Sequence, residues 1–413
     1  MTKNMTPPSL LRLEDAVKIM ANAAKTSPVE PTKESLKLRY AVNRIVAKDI
    51  ISAINIPLND NAAMDGYALK ASNLADDKIF KVAGTAYAGN PYTKPLATGE
   101  CVRIMTGAEI PPNADAVIMK ERATVTSDSG VSFTGKVSSG ANIRKRAEGV
   151  AADSAVITKG TRLTPRHLAL IASIGVSSVD VFKKLTVGVF ATGNELVEPG
   201  TPLRPGQNYE SNRVSVSLLL EQLGVNVIDY GIIPDDQHQL RETLRSADAR
   251  CDVVISSGGI SVGDADYMKE IVNQMGNILF WKVAIKPGKP FTFGRLTHSW
   301  FCGLPGNPVA AFVILEQLVS QFIKALQQTH GLGVPVFDAI ANVDIEKTTG
   351  RVDCQRGYFT TSQDGVLKVT PNEQQSSAVL LSLTQANCYI VLDHECDGVK
   401  KGHSVRIQPF SNV

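Results

Sequence analysis

Lys286 and Lys289 stand on either side of a Pro287-Gly288 turn, and carboxylates at Glu195, Asp235, Asp264 and Asp266 recur in other loops rich in glycine and small polar residues. A Pro-Gly turn fixes the backbone so that two ammonium groups and free N–H donors can face one oxyanion. The carboxylates suit Mg²⁺ shared between protein oxygens and a substrate phosphate. Together these residues predict phosphoryl chemistry on an anionic substrate.

The elements that must position them are short apolar runs. ATGNEL (191–196), IIPDD (232–236), SSGGISVGDADY (256–267), KVAIKPGKPFTFG (282–294) and GLPGNP (303–308) each carry a loop that follows a run of strand length. Loops in that relation gather along the carboxyl edge of a parallel sheet, where open α/β folds bind ligands. The block reads as strand TVGVFAT, helix 212–223, strand VNVIDYGII, helix 237–249, strand DVVISS, helix 264–275, strands near 278–285 and 290–294, strand WFCGL and an apolar helix 307–328. That alternation defines a doubly wound sheet.

Around this block the pattern changes. Residues 9–24 read as an amphipathic helix with Ser9 as its cap and Leu10, Leu13, Val17 and Met20 at helical spacing. From Ala47 to about Val137, alternating apolar runs with Gly, Pro and Asn turns indicate a small β-rich domain. After Val334, YIVLD and HSVRIQPF indicate a terminal β domain. The expected fold class is multidomain α/β: 1–46 with 141–184 as a linking domain, 47–140 as a β-rich insertion, 185–331 as the central doubly wound domain, and 332–413 as a C-terminal β domain.

Composition bounds the function. With 43% hydrophobic and 20% charged residues in 413, the chain has ample core. A net charge of +3 implies neither nucleic acid nor an anionic membrane as partner. The six cysteines form no CxxC pair and the histidines no HExxH, so zinc spacing is absent and a reducing cytoplasm is expected. Cys388, Cys396 and the intervening His394 read as scattered thiols rather than a metal cluster. No signal peptide and no membrane span are expected.

The longer motifs add a resemblance. NAAMDGYAL (61–69), RIMTGAEIP (103–111), ATGNELV (191–197), SNR (211–213), SSGGISVGDADY, KVAIKPGKPFTFG and FCGLPGNPVAA (301–311) resemble the fingerprints of the molybdopterin molybdenumtransferases, the MoeA family with its gephyrin E-domain relatives. The resemblance spans nearly the whole chain. It implies insertion of molybdate into adenylylated molybdopterin with Mg²⁺ and release of AMP. It also implies a homodimer with a shared active site, with molybdopterin adenylyltransferase or other cofactor-synthesis proteins as further partners.

Carried over by position, the resemblance assigns Asp65 and Thr106 to a cleft completed by the partner chain. Glu195, Asp235 and Asp266 become the carboxylates that hold Mg²⁺ or orient the phosphate. Lys282 and Lys286 would stabilise the transferring phosphoryl group, and Lys286, Lys289, Pro290, Arg351 and Ser376 would form the molybdate pocket. Gly258, Gly259, Ser261, Pro305 and Pro308 are expected against the substrate. Asp65 and Thr106 also have a purely structural reading as turn caps. Where the family reads NIRxxGED, this chain reads NIRKRAEG, placing Ala147 at a glycine position and Gly149 at that of a cleft aspartate; Asn194 replaces the aspartate of TGDEL. The missing carboxylate leaves open a non-catalytic molybdopterin-binding or scaffold paralogue. A serine hydrolase is the other alternative, since Gly259 to Gly263 has the G-x-S-x-G form around Ser261, with Asp338 and His394 following in order.

Overall fold

The computed structural model describes residues 10–27, 32–75, 78–126, 130–259, 267–331 and 333–410. The chain divides into two compact units, residues 1–34, 43–45 and 181–413 forming one and residues 35–42 and 46–180 the other.

The larger unit is built on a six-stranded sheet in the order Asn226–Ile233, Thr186–Thr192, Val253–Ser257, Trp300–Leu304, Pro290–Arg295, Asn277–Lys282. The first four strands are parallel, whereas Pro290–Arg295 runs antiparallel to both neighbours, so the sheet is mixed rather than wholly parallel. Both faces are covered, which explains the near-continuous apolar runs. Side chains alternate across the sheet with period two: Val187, Val189, Val253, Ile255, Cys302 and Leu304 enter one core, and Phe190, Val254 and Phe301 enter the other. The first core is closed by helix Leu13–Lys25, through Ala16, Met20 and Ala23, and by the apolar helix that starts at Pro308. Helices Gln237–Arg250 and Tyr267–Met275 close the second through Leu240, Leu244, Ile271 and Val272. The expected cap Ser9 lies outside the described residues; Arg12 occupies the cap position and makes no side-chain cap bond.

The helix Pro308–Leu326 is 19 residues long and apolar enough by length and composition to cross a membrane, contrary to the expectation that no run approaches that length. Most of it is buried in the larger unit's core, including Val309, Val313, Ile314, Leu318 and Phe322. Residues Leu315–Val319 take a π-helical turn. There Glu316 turns toward the C-terminal strands and accepts a 2.6 Å hydrogen bond from the Tyr389 hydroxyl. Burial raises the Glu316 pKa despite that bond.

In the same unit, strands Val352–Thr361, Leu367–Pro371, Phe337–Ala341, Ser404–Pro409 and Cys388–Leu392 are joined in that order, and Val352–Thr361 pairs back onto Cys388–Leu392 to close the ring. Closure removes the exposed edges that an open sheet of this size would carry. The short strand Ile285–Lys286 joins this ring rather than the central sheet.

The smaller unit carries its own six-stranded sheet in the order Ala116–Met119, Gly66–Leu69, Glu100–Ile104, Phe80–Ala86, Gly130–Phe133, Ala123–Val125. Its helix Pro165–Ser173 begins with a capping box in which Thr164 and His167 each satisfy the other's backbone N–H.

Candidate functional site

The carboxyl edge of the central sheet opens into a cleft of about 800 Å³. Its walls include Glu195, Asp235, Gly258, Gly259, Pro290, Pro305 and Pro308, so loops scattered over more than a hundred residues converge as expected. The loops are laced to one another. Thr192 Oγ1 donates to Asp235 Oδ1 at 2.7 Å, and Asp235 N–H donates to Asn194 Oδ1 at 3.1 Å. Asn194 thus supplies the acceptor that an aspartate would supply there, without placing another negative charge beside Asp235. Gly258 (φ +86°) could not be another residue: a Cβ there would stand 2.5 Å from the Thr192 carbonyl oxygen.

The cleft floor was not legible as a site. Asn208, Tyr209, Glu210, Ser211 and Asn212 also line it, yet only the SNR motif marked this stretch. Asn212 Nδ2 donates to Ser257 Oγ and to the Gly306 carbonyl, both at 2.8 Å, so one buried amide holds two neighbouring loops. Arg213 lies against Glu198, Glu210 and Asp229. Burial raises the Glu210 pKa, opposed by the hydrogen bond from the Arg213 N–H and by that residue's charge.

The expected molybdate-pocket residues divide. Pro290 lines the cleft, while Lys286, Lys289, Arg351 and Ser376 are not among its wall residues, and neither is Lys282, expected at the transferring phosphoryl group. Lys286 Nζ donates to Asp353 Oδ2 at 3.2 Å, and Lys289 is exposed. The C-terminal ring reaches the cleft through Ala378 instead. Ser377 Oγ accepts from Asn307 Nδ2 at 3.1 Å and its carbonyl accepts from Val309 N–H, which holds the segment at the start of helix Pro308–Leu326. Ser376 directs its carbonyl to Arg356 Nη2, 3.2 Å away.

Asp65 and Thr106, in the smaller unit, are together: Asp65 Oδ1 accepts from both the backbone N–H and the hydroxyl of Thr106 at 2.8 Å. Those two bonds hold the Asp65 carboxyl below its ordinary range. The same unit holds a depression of about 320 Å³ lined by Ile56, Pro57, Asn61, Arg144, Glu148 and Gly149. Ala147 sits at φ +63°, in the left-handed region where the family's glycine would be unstrained.

Asp266 and Ser261 lie outside the described residues, as does Asp264. For the hydrolase alternative, His394 Nδ1 sits 3.2 Å from Glu395 Oε1, while Asp338 belongs to a strand in register with Arg406. Of the cysteines, Cys101, Cys251, Cys302, Cys354 and Cys388 are buried. Burial pushes the Cys388 thiol up to about 12.

Comparison with known proteins agrees with this architecture. The family model described as MoeA N-terminal region (domain I and II) matches residues 11–175, the probable molybdopterin binding domain matches 188–325, and the MoeA C-terminal region (domain IV) matches 338–410. The molybdopterin molybdenumtransferase of Haemophilus influenzae is 44% identical over 387 residues, covering 94% of this chain and 96% of the relative. That of Bacillus subtilis is 33% identical, covering 91% and 89%. Among solved structures, a molybdopterin biosynthesis MoeA protein from Pyrococcus horikoshii OT3 superposes with a TM-score of 0.83 at 29% identity, covering 97% of this chain and all of that one. With all three family regions in order along one chain and relatives matched nearly end to end, the protein belongs to the MoeA family of molybdopterin molybdenumtransferases.

Proposed function

We propose that this protein inserts molybdate into adenylylated molybdopterin and releases AMP, as the closing chemistry of molybdenum cofactor synthesis. The observation that carries the reading is the cleft of about 800 Å³ at the carboxyl edge of the central sheet, where Glu195 and Asp235 stand among glycine loops. Such a cleft has room for a substrate carrying a heterocycle, a phosphate bridge and a nucleoside.

The donor chemistry fits Mg²⁺. Glu195 and Asp235 offer hard oxygen ligands, no thiol or imidazole lines the cleft among the described residues, and this cation ordinarily takes one or two carboxylates with water and substrate phosphate completing its shell. Bound there, Mg²⁺ would offset phosphate charge. The chain's own groups do the rest. Thr192 and Asn194 fix Asp235, the Gly258-Gly259 turn lets substrate approach the backbone closely, and Lys286 supplies positive charge to an incoming oxyanion. Molybdate is the substrate oxyanion in this scheme, and Lys289, Arg351 and Ser376 belong to its proposed surroundings.

A homodimer in a cytoplasmic setting goes with this reading, with Asp65 and Thr106 of one chain completing the cleft of the other. Support for the dimer is the family resemblance. Mixing Lys286→Ala chains with Asp65→Asn chains tests it: a shared site regains activity in one of the two mixed clefts, whereas independent sites stay silent.

The direct experiment is AMP release from adenylylated molybdopterin by the purified protein with Mg²⁺, with and without molybdate, beside Lys286→Ala. Molybdate-dependent release that the variant loses is expected. Substrate retained without AMP release would replace the reading with a binding or scaffold role, for which the absent carboxylate at Gly149 is the specific support.

A further inference from the structure

Lys286 has its charge answered from the C-terminal ring. Its Nζ donates to Asp353 Oδ2 at 3.2 Å, and the same oxygen accepts from Gln355 Nε2 at 3.3 Å. Asp353 is only 3% exposed, while the Lys286 side chain keeps 44% of its surface in solvent. The carboxylate is sunk and the ammonium stands at its rim. A buried carboxylate stripped of its cation is strongly unfavourable, and Lys286 is the one cationic side chain bonded to Asp353 among the described residues.

The backbone imposes this meeting. Ile285 and Lys286 run parallel and in register with Val352 and Asp353, and Val352 N–H donates to the Ala284 carbonyl at 2.9 Å. Gln355 is held in turn, its Nε2 donating to the Glu346 carbonyl at 2.8 Å. Gly288 lets the loop turn back tightly, since a Cβ there would stand 2.6 Å from Ile314. Each partner of Lys286 is therefore fixed before any ligand arrives.

We infer that Asp353, braced by Gln355, is the positioning residue for Lys286. It fixes where the ammonium stands. One of the three ammonium donors goes to the carboxylate, which leaves two for an oxyanion. Asp353 acts through the lysine and does not touch the ligand. The inference rests on the reading that Lys286 receives an oxyanion.

The test uses the full-length protein and equilibrium dialysis with molybdate, beside inorganic phosphate, with AMP release measured in parallel. Asp353→Asn keeps the shape but removes the charge, and should weaken molybdate retention about 10- to 100-fold, the size of loss seen when a partner that orients a ligand-binding side chain is removed. Asp353→Glu should recover part of it. In a Lys286→Ala background, Asp353→Asn should cost nothing further, because its partner is gone; a merely structural role would add its loss to that of Lys286→Ala. Should Asp353→Asn fail to fold, Gln355→Leu provides the same non-additivity test with a smaller single loss. Retention unchanged by Asp353→Asn, additive losses, or a wild type that retains neither anion would each overturn the inference. Phosphate retained in place of molybdate would keep the positioning role and move it to the substrate's phosphate. AMP release by the wild type reports separately on the proposed function, so either claim can fail without the other.

Discussion

Replacing Ala147 with glycine should make the protein more stable, which is unusual for a change that deletes a methyl group and frees the backbone. Ala147 holds φ at +63°, a conformation that costs an L-residue about 1–2 kcal/mol because Cβ crowds the following carbonyl. Its N–H donates to the Pro57 carbonyl at 3.1 Å, and the next residues are tied down by Glu148 N–H to Lys145 O at 3.0 Å and Gly149 N–H to Ile56 O at 2.9 Å. The turn is thus held from both sides and cannot relax to negative φ. Glycine removes the steric cost but gives up about 0.5–1 kcal/mol of unfolded-chain entropy. The balance favours glycine by about 0.5–1 kcal/mol, a rise of about 1–4 °C in the melting temperature of the unit that carries it. Thermal unfolding followed by circular dichroism, with amide exchange across 143–150, measures it. An unchanged or lower melting temperature would refute the strain argument.

Gly149→Asp should raise molybdate-dependent AMP release by restoring a carboxylate. Its new Cβ would meet the Ile56 carbonyl oxygen at 3.3 Å, a contact that needs only a small shift, and an unchanged or lower rate would count against the proposal. Asp235→Asn should raise the Mg²⁺ concentration needed for half-maximal AMP release by about 10-fold while leaving the fold intact; an unshifted Mg²⁺ titration would remove Asp235 from the metal's surroundings. Asp65 has its folded pKa lowered from 3.8 by the Thr106 bonds, so its contribution to stability is present above that value and is lost as pH falls through the lower folded value. Asp65→Asn should accordingly flatten the acid limb of a stability profile below about pH 4; a limb as steep as the wild type's would contradict this.

Elements fixed by local pattern were legible in the sequence. The helices expected at 212–223, 237–249 and 307–328 occur at Asn212–Gln222, Gln237–Arg250 and Pro308–Leu326, because helical periodicity, the Asp236 cap and Pro308 at the first turn all act within a few residues. The gathering of Glu195, Asp235, Gly258 and Pro305 was also legible, since strand-then-loop order places such residues on one edge. What escaped were pairings between distant segments. Nothing local in Ile285–Lys286 says that it leaves the central sheet for Val352–Asp353, and a two-residue strand has too few side chains to show a period. The π turn at Leu315–Val319 was hidden for a related reason: its residues satisfy helical spacing, and the partners that Glu316 and Gln317 meet there, Tyr389 and Gln408, lie 73 and 91 positions away. Glu210 and Asn212 were missed as cleft residues because they flank a helix start, where such residue types ordinarily serve the helix itself.

The strand Ile285–Lys286 bears on how modular this protein is. A C-terminal ring looks like a cassette that could be exchanged between relatives at a cut near residue 334. Yet the ring has captured two residues that lie 67 positions upstream of their partners, so that cut would graft a foreign acceptor strand onto a native donor. Chimeras designed at the apparent boundary should fold poorly or misplace the lysine. Those that transplant the 283–290 loop together with the ring carry the unit of inheritance intact.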